Sequence, residues 1–224
     1  MKNTLIISKL ENFMNNDTIS NQRQHYPDMY QPITDLINAL KTEVYAEEKN
    51  NKSYINRQKK AVSFLKKAGK NTYRPILKYS EIQEINGQTY QVFTESYVVI
   101  ALTEPLNLPD VSETDDHLPN IERLFNGCNF EKAEVAEDAI SDMLARLKAG
   151  MIEKTEAQGK ERKIVSFETS LCNYNIDADR LKFVVEMLGS NKLEVCSAGS
   201  AVKPIKFVNA ETGDMALLLP FRRY

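Results

Sequence analysis

The chain has 224 residues, 42% of them apolar, and a formal net charge of -2 at pH 7. This length suits one medium domain with an appendage or two small domains, and no apolar run approaches the roughly 18 residues that a membrane span requires. The near-neutral charge excludes a globally basic nucleic-acid-binding protein, so binding to a polyanion would require positive charge gathered on one face.

The N-terminal residues and the cysteines both predict a cytoplasmic protein. The apolar core of the first 13 residues is only Leu5–Ile7, and no small-residue cleavage site follows it, so a secretory signal is not expected. Cys128, Cys172 and Cys196 are an odd number without metal-type spacing, which is typical of reduced, partly buried thiols. We expect no metal and no cofactor.

Residues 1–52 are polar and rich in Asn and Gln, and they predict a helical N-terminal extension with a linker. We expect Pro32 to lie in the first turn of a helix that ends at Val44. The apolar face of this helix would consist of Ile33, Leu36, Ile37 and Leu40. Residues 47–52 have the composition of an exposed linker.

Residues 54–70 predict an amphipathic helix with a strongly basic face. Its apolar face would consist of Ala61, Val62, Leu65 and Ala68, with Phe64 at the edge. The opposite face would carry Lys59, Lys60, Lys66, Lys67 and Lys70. Two interpretations are open: a solvated outer face, since lysine is common at surfaces, and a surface that follows a phosphate backbone.

Strands are predicted next. Residues 74–85 and 88–103 alternate in polarity around Asn86-Gly87, which is a strong hairpin signal. The second of these segments is long enough to be two strands bent near Glu95-Ser96. Residues 105–116 then form a loop rich in proline and acidic residues.

An amphipathic helix is predicted at residues 129–150. Its buried stripe would consist of Ala136, Ile140, Met143, Leu144 and Leu147, and Gly150 would end it. Residues 151–162 are charged and predict a mobile connection. The segment from about residue 105 to residue 162 is therefore interpreted as a helical insertion in the domain.

The last sixty residues predict a strand, a helix and three strands. Residues 163–171 alternate in polarity, Asp177 is a good N-cap for a helix at 178–188, and Gly189 ends that helix. The core-facing stripe of this helix would consist of Leu181, Val184, Val185 and Leu188, and its outward positions would be Asp179, Phe183, Glu186 and Met187. Short strands follow at 193–196, 203–208 and 215–221. The predicted fold class is α+β, with one domain at residues 53–224.

No catalytic constellation is visible. His25 and His117 are the only histidines, and both lie in polar segments. Asp115-Asp116-His117 could be interpreted as a metal cluster, but three adjacent residues point in different directions and a solvated loop explains them better. There is no glycine-rich phosphate loop and no zinc spacing, so an enzyme is not expected.

Three passages resemble one domain of the bacterial sliding clamp, the beta subunit of DNA polymerase III. Thr72-Tyr73-Arg74-Pro75-Ile76-Leu77 after a basic helix is similar to the family's entry into its second strand. Tyr174-Asn175-Ile176-Asp177 with Arg180-Leu181 resembles the start of its second helix, and Ala216-Leu217-Leu218-Leu219-Pro220-Phe221-Arg222 resembles its terminal strand. Leu118–Leu124 is similar to a segment that ends a clamp domain, but here it lies in mid-chain.

The chain also departs from the family pattern. The family's polypeptide carries three such domains and two chains form a ring, whereas this chain has room for one interrupted domain. Thr94-Glu95-Ser96 replaces the aspartate-containing turn after the third strand. The outward positions of the second helix are acidic and apolar rather than basic.

The resemblance implies a DNA-clamp-like fold in which two helices pack on a curved antiparallel sheet, and a non-enzymatic accessory role in DNA replication. Its partners would be duplex DNA, replication proteins and further copies of the chain, with no membrane. The DNA-binding candidates are Arg57, Lys59, Lys60, Lys66, Lys67, Lys70 and Arg74. The partner-binding candidates are Leu181, Phe183, Met187, Leu218, Leu219, Pro220 and Phe221, for which ordinary core packing is the competing explanation. The alternative function is a clamp-fold module that binds proteins and has no DNA role.

Overall fold

The structure, a computed structural model, describes residues 2–49, 52–70, 73–111, 117–157 and 160–221. It is an α+β structure that divides into two compact units, Met1–Lys60 and Ala61–Tyr224. The boundary falls inside helix α4 (Lys52–Ala68), which contributes residues to both units.

The N-terminal unit is helical. Besides the start of α4 it contains α1 (Lys2–Met14), α2 (Asp17–His25) and α3 (Pro27–Lys49). The prediction for Pro32 is wrong, because α3 begins five residues earlier and Pro32 lies inside it. Pro27 occupies the first position instead, where the missing N–H of proline costs nothing. The described part of the predicted linker is helical, since α3 extends to Lys49 and α4 begins at Lys52, and Asn50 and Asn51 lie outside the described residues.

A small apolar cluster joins the helices of this unit. Ile7 and Met14 of α1 are buried together with Tyr30 and Ile37 of α3. At the surface the ammonium of Lys41 lies 2.6 Å from a carboxylate oxygen of Glu11. The polar composition of this region therefore leaves one apolar stripe on each of the two helices, and these stripes form the core.

The larger unit is built on a seven-stranded antiparallel sheet among the described residues. Its strands are β1 (Glu81–Ile85), β2 (Gln88–Thr94), β3 (Val98–Leu102), β4 (Glu131–Ala133), β9 (Glu194–Ser197), β10 (Ile205–Val208) and β11 (Met215–Leu218). Their order across the sheet is β1-β2-β3-β11-β10-β9-β4. Two separate hairpins pair β5 (Thr155–Ala157) with β6 (Lys160–Arg162), and β7 (Ile164–Glu168) with β8 (Asn173–Asp177).

Two similar halves meet at the centre of the sheet. In the first half α4 precedes β1, β2 and β3, and in the second half α7 (Ala178–Leu188) precedes β9, β10 and β11. The third strands of the two halves pair antiparallel, with Ile100 opposite Ala216 and Val98 opposite Leu218. The order and the pairing of the elements are therefore symmetric about the β3–β11 pair.

The helices cover one face of this sheet. Phe93, Ile100, Ala216 and Phe207 follow one another across four strands in register and are fully buried. Phe64 of α4 forms a T-shaped pair with Phe93, with ring centroids 5.9 Å apart. The helical layer thus buries one apolar face of these four strands.

The predicted insertion covers the opposite face of the sheet. Val92, Ala101 and Leu217 point to that face and form one buried cluster with Ile121 and Phe125 of α5 (Ile121–Asn126). The cluster explains why β2, β3 and β11 contain runs of consecutive buried residues, since a strand buried on both faces loses its alternation.

Polar contacts attach the insertion to the sheet. The buried amide of Gln91 donates to Leu106 O at 3.0 Å and accepts from Leu106 N at 2.8 Å. The carboxylate of Glu81 accepts from Leu118 N at 3.0 Å, and the side chain of Gln83 accepts from Ile121 N at 2.9 Å. The segment is therefore bonded to both β1 and β2.

Three predictions for the larger unit need correction. Residues 74–85 are not one strand, because Pro75–Lys78 form a 3-10 helix that buries Leu77. The helix predicted at 129–150 is shorter: α6 spans Ala139–Lys148, and Ala136 is exposed. The preceding residues instead add β4 to the edge of the sheet, and residues 151–162 contain the β5–β6 hairpin.

The turn predictions are confirmed. Asn86 and Gly87 have φ angles of 52° and 78°, the pair of left-handed conformations that a tight two-residue hairpin requires. The long segment does divide near Glu95-Ser96, and Ser96 has a φ of 79°. Asp177 accepts hydrogen bonds from the N–H groups of Asp179 and Arg180, and Gly189 ends α7 at a φ of 71°.

None of the helices, over the residues that the structure describes, combines the length and the apolar character needed to cross a membrane. Cys128, Cys172 and Cys196 are half-buried and are not joined by disulfide bonds.

Candidate nucleic-acid interface

The lysines of the predicted basic face lie at the surface. Lys59, Lys60, Lys66, Lys67 and Lys70 are all exposed. The first two belong to the N-terminal unit and the other three to the larger unit. The helical wheel therefore places these side chains correctly, because Ala61, Leu65 and Ala68 are buried on the other side.

The two candidate arginines differ in environment. Arg57 belongs to the N-terminal unit and is half-buried. Arg74 belongs to the larger unit and is exposed, and its Nη1 donates to Ser96 Oγ at 3.4 Å. This contact connects the residue before the 3-10 helix to the turn between β2 and β3.

A fifth basic residue of the larger unit lies at the end of α4. The backbone of Lys78 passes directly against Gly69, so that a Cβ added at Gly69 would lie 2.6 Å from the Cβ of Lys78. Only glycine allows this close approach. The close approach brings the exposed Lys78 to the end of α4. We call Lys66, Lys67, Lys70, Arg74 and Lys78 the basic corner.

The sequence contains a signal for this corner that the helical-wheel argument missed. Residues 49–80 contain 10 of the 29 Lys and Arg of the chain and none of its 31 Asp and Glu. A charge count in a sliding window detects this asymmetry and includes Lys78. The net charge of -2 thus hides a basic segment inside an otherwise acidic chain.

Glu95, in the turn between β2 and β3 beside Arg74, forms an ion pair with Arg180. Glu95 Oε1 accepts from Arg180 Nε at 2.8 Å, and the guanidinium of Arg180 lies 4.0 Å from the ring centroid of Tyr97. The side chain of Arg180 is only 15% exposed. This arrangement fastens the start of α7 to the β2–β3 turn, and the carboxylate of Glu95 is paired beside Arg74.

The surface of α7 differs in charge from that of α4. Asp179 and Lys182 are exposed, and the carboxylate of Asp179 lies 3.7 Å from the ammonium of Lys163. Asp177, the N-cap, also pairs with Arg162 at 3.1 Å. The part of α4 in the larger unit therefore carries exposed lysines and no acidic residue, whereas the surface of α7 is mixed in charge.

The structure places most of the partner-binding candidates in the core. Leu181, Met187 and Leu218 are 0% exposed. The prediction that Met187 points outward is wrong, because α7 is covered on more of its circumference than one apolar stripe. Phe183 is half-buried, and its ring stacks on Phe64 of α4 with centroids 4.3 Å apart.

The terminal segment is bonded at both ends. Leu219 N donates to Tyr97 O at 2.9 Å, and Phe221 N donates to Asn175 O at 2.6 Å. Pro220 is buried, whereas Leu219 and Phe221 are half-buried. A partner-binding role for these three residues stays a prediction.

The histidine of the acidic loop has a structural contact. His117 Nδ1 lies 2.9 Å from Glu81 Oε1 at the edge of the sheet. Asp115 and Asp116 lie outside the described residues. Within the described part of the chain, no group of three or more His, Cys, Asp and Glu is placed to hold a metal ion.

Comparisons with known proteins identified no relative of this chain. No protein-family model, no curated protein and no solved structure matches this chain significantly.

Proposed function

We propose that the larger unit is a clamp-like domain that binds duplex DNA without sequence preference through its basic corner, as a non-enzymatic accessory protein of replication. The observation that carries the DNA-binding part is the clustering of Lys66, Lys67, Lys70, Arg74 and Lys78 at one exposed end of α4. Ammonium groups on flexible stems suit diffuse contact with phosphates and do not read bases.

The clamp-like part is supported by the arrangement of the elements. Two helices, each followed by three antiparallel strands, pack side by side on one face of a shared sheet. This is the arrangement that the resemblance of the sequence implies. The structure also differs from it, since α5 and the residues before it cover the second face of the sheet.

Salt-dependent binding to a blunt DNA duplex tests the DNA-binding part. If all five side chains of the basic corner neutralise phosphates, the logarithm of the affinity should fall with the logarithm of the salt concentration with a slope between about -4 and -5. Fluorescence anisotropy between about 50 and 200 mM salt covers the useful range.

Charge reversal at the basic corner gives the matched comparison. We expect the combined change of Lys66→Glu, Lys67→Glu and Lys70→Glu to weaken binding at low salt by at least about tenfold and to flatten the salt slope. The control reverses Lys148, Lys192 and Lys203, which are exposed and alter the net charge equally. Circular dichroism melting checks that both variants fold.

Two results would end the proposal: no measurable affinity of the unmodified chain at low salt, or equal loss in the two triple variants. The alternative function, a module that binds proteins only, would then be favoured. Light scattering addresses the assembly, because a ring-sized species is expected of a clamp and a strict monomer of the alternative.

A further inference from the structure

A strongly exposed aromatic side chain of the larger unit lies beside the basic corner. Tyr73 is 94% exposed, and it comes three residues after Lys70 and directly before Arg74. Three residues of chain span at most about 11 Å, so the Cα atoms of Tyr73 and Lys70 lie within that distance of each other, and Arg74 is the next residue along the chain. An aromatic ring kept in water has no role in the core.

Two other tyrosines near this surface are less accessible. Tyr97 is 39% exposed, and the guanidinium of Arg180 covers its ring at 4.0 Å. Tyr79 is half-buried, and the ammonium of Lys78 lies 4.9 Å from its ring centroid. At 94% exposure, Tyr73 therefore offers more ring surface to a ligand than either of them.

Exposed aromatic rings beside a track of positive charge are the recognition elements of single-stranded nucleic acid. The cations hold the backbone while a base stacks on the ring, and every base offers such a face. A base inside a duplex is already stacked on its neighbours. Away from the ends of a duplex, only an unpaired nucleotide can use the ring without the cost of opening the helix.

We propose that Tyr73 stacks on an unpaired base, so that the basic corner prefers duplex DNA with a single-stranded overhang to blunt duplex. This inference rests on the proposed function, because the lysines must first hold the backbone. It names the kind of DNA end that the surface binds, which the proposed function leaves open.

The absence of tryptophan from the chain makes a direct test simple. Tyr73→Trp introduces a single tryptophan, whose fluorescence should be quenched when an overhang duplex is added and unchanged when blunt duplex is added. Tyr26→Trp is the matched control, since Tyr26 is also strongly exposed, at 65%, but lies in the N-terminal unit.

Affinities give the second measurement. We expect Tyr73→Ala to weaken binding to the overhang duplex by about tenfold, which corresponds to one stacked base, and to leave binding to blunt duplex within about twofold. Tyr73→Phe retains the ring and should retain the preference. Equal affinity of Tyr73→Ala and the unmodified chain for the overhang duplex would overturn the inference.

The two proposals fail differently. Suppose that binding to blunt duplex depends on the lysines but that the affinity for the overhang duplex is the same with and without Tyr73. This result would refute the stacking role and leave the proposed function standing. No binding to either DNA at low salt would refute both. Equal quenching of tryptophan fluorescence in the Tyr73→Trp and Tyr26→Trp variants would show non-specific contact and count against the stacking role.

Discussion

Phe64 and Phe183 stack nearly parallel, with ring centroids 4.3 Å apart and an angle of 7° between the ring planes. Phe64 belongs to the helix of the first half of the larger unit, and Phe183 to the helix of the second. Phe64 also makes a T-shaped contact with Phe93 on the sheet, with ring centroids 5.9 Å apart. This one side chain therefore links both helices to each other and to β2.

A double-mutant cycle should measure this link. We expect Phe64→Ala and Phe183→Ala each to lower the free energy of unfolding by about 2 kcal/mol, below the values for fully buried rings because both are half-buried. The coupling energy should be about 1 kcal/mol, typical of an aromatic pair. Urea titration of the two single variants and the double variant provides the numbers, and strict additivity would contradict the link.

Asp214 fastens the start of β11 to the end of β3. Its Oδ1 accepts from Thr103 N at 2.8 Å and from Thr103 Oγ1 at 2.9 Å, and the residue is 1% exposed. We expect Asp214→Ala to cost about 1 to 3 kcal/mol in unfolding free energy, since it leaves the N–H of Thr103 without its acceptor, whereas the Thr103 hydroxyl can still donate to Thr212 O at 3.0 Å. Asp214→Asn keeps one acceptor oxygen and should cost less. Similar losses in the two variants, measured by denaturant titration, would contradict the role of the hydrogen bonds.

Tyr174 and Ser197 form a hydrogen bond in the core. Their hydroxyl oxygens are 2.5 Å apart, and both residues are 0% exposed. Tyr174→Phe keeps the packing of the ring and removes the hydroxyl, so we expect a loss of about 1 to 2 kcal/mol.

Ser197 also accepts from Gly199 N at 3.0 Å. Ser197→Ala should therefore cost more than Tyr174→Phe, because it removes the contacts of Ser197 Oγ with both Tyr174 and Gly199 N. Thermal unfolding followed by circular dichroism ranks the stabilities of the two variants. The reverse order would show that the turn after β9 rearranges so that Gly199 N finds another acceptor.

Burial raises the pKa of the Cys196 thiol, with a smaller opposing effect from the ammonium of Lys206. A raised pKa means less thiolate at a given pH, and the thiolate is the reactive form. We expect iodoacetamide at about pH 8 to alkylate Cys196 more slowly in the folded chain than in urea. Peptide mass spectrometry of both samples checks this, and equal rates would indicate that the edge of the sheet opens.

The local chemistry of the chain predicted several elements well. Asp177 and Gly189 mark the ends of α7 in the sequence and in the structure. Asn86-Gly87 marks the β1–β2 turn, because left-handed backbone conformations restrict the residue types at both positions. Such features depend on neighbouring residues alone, which makes them readable without the fold.

Features set by distant contacts could not be predicted in this way. Residues 131–133 form a strand because β9 offers a free edge, where Lys132 also pairs with Glu194 at 2.7 Å. Met187 is buried by parts of the chain that its own helix does not specify. The helical period identifies an apolar face, but it does not say how far around the helix the packing extends.

The candidate interface was predicted in part. The helical wheel of α4 predicted that Lys66 and Lys67 are exposed, because helix geometry fixes the direction of each side chain. Lys78 was missed, since its position depends on the contact of its backbone with Gly69. Tyr73 contributed only to the resemblance, and its exposure of 94% was not predicted.

The pairing of β3 with β11 has a consequence for the kinetics of folding. Residues Val98 and Leu218, which face each other at the middle of the sheet, are separated by more than half of the chain. Closing so large a loop costs entropy before any strand contact repays it. We therefore expect the sheet to form slowly during synthesis. β1, β2 and β3 cannot pair with β11 until residues 215–218 have left the ribosome.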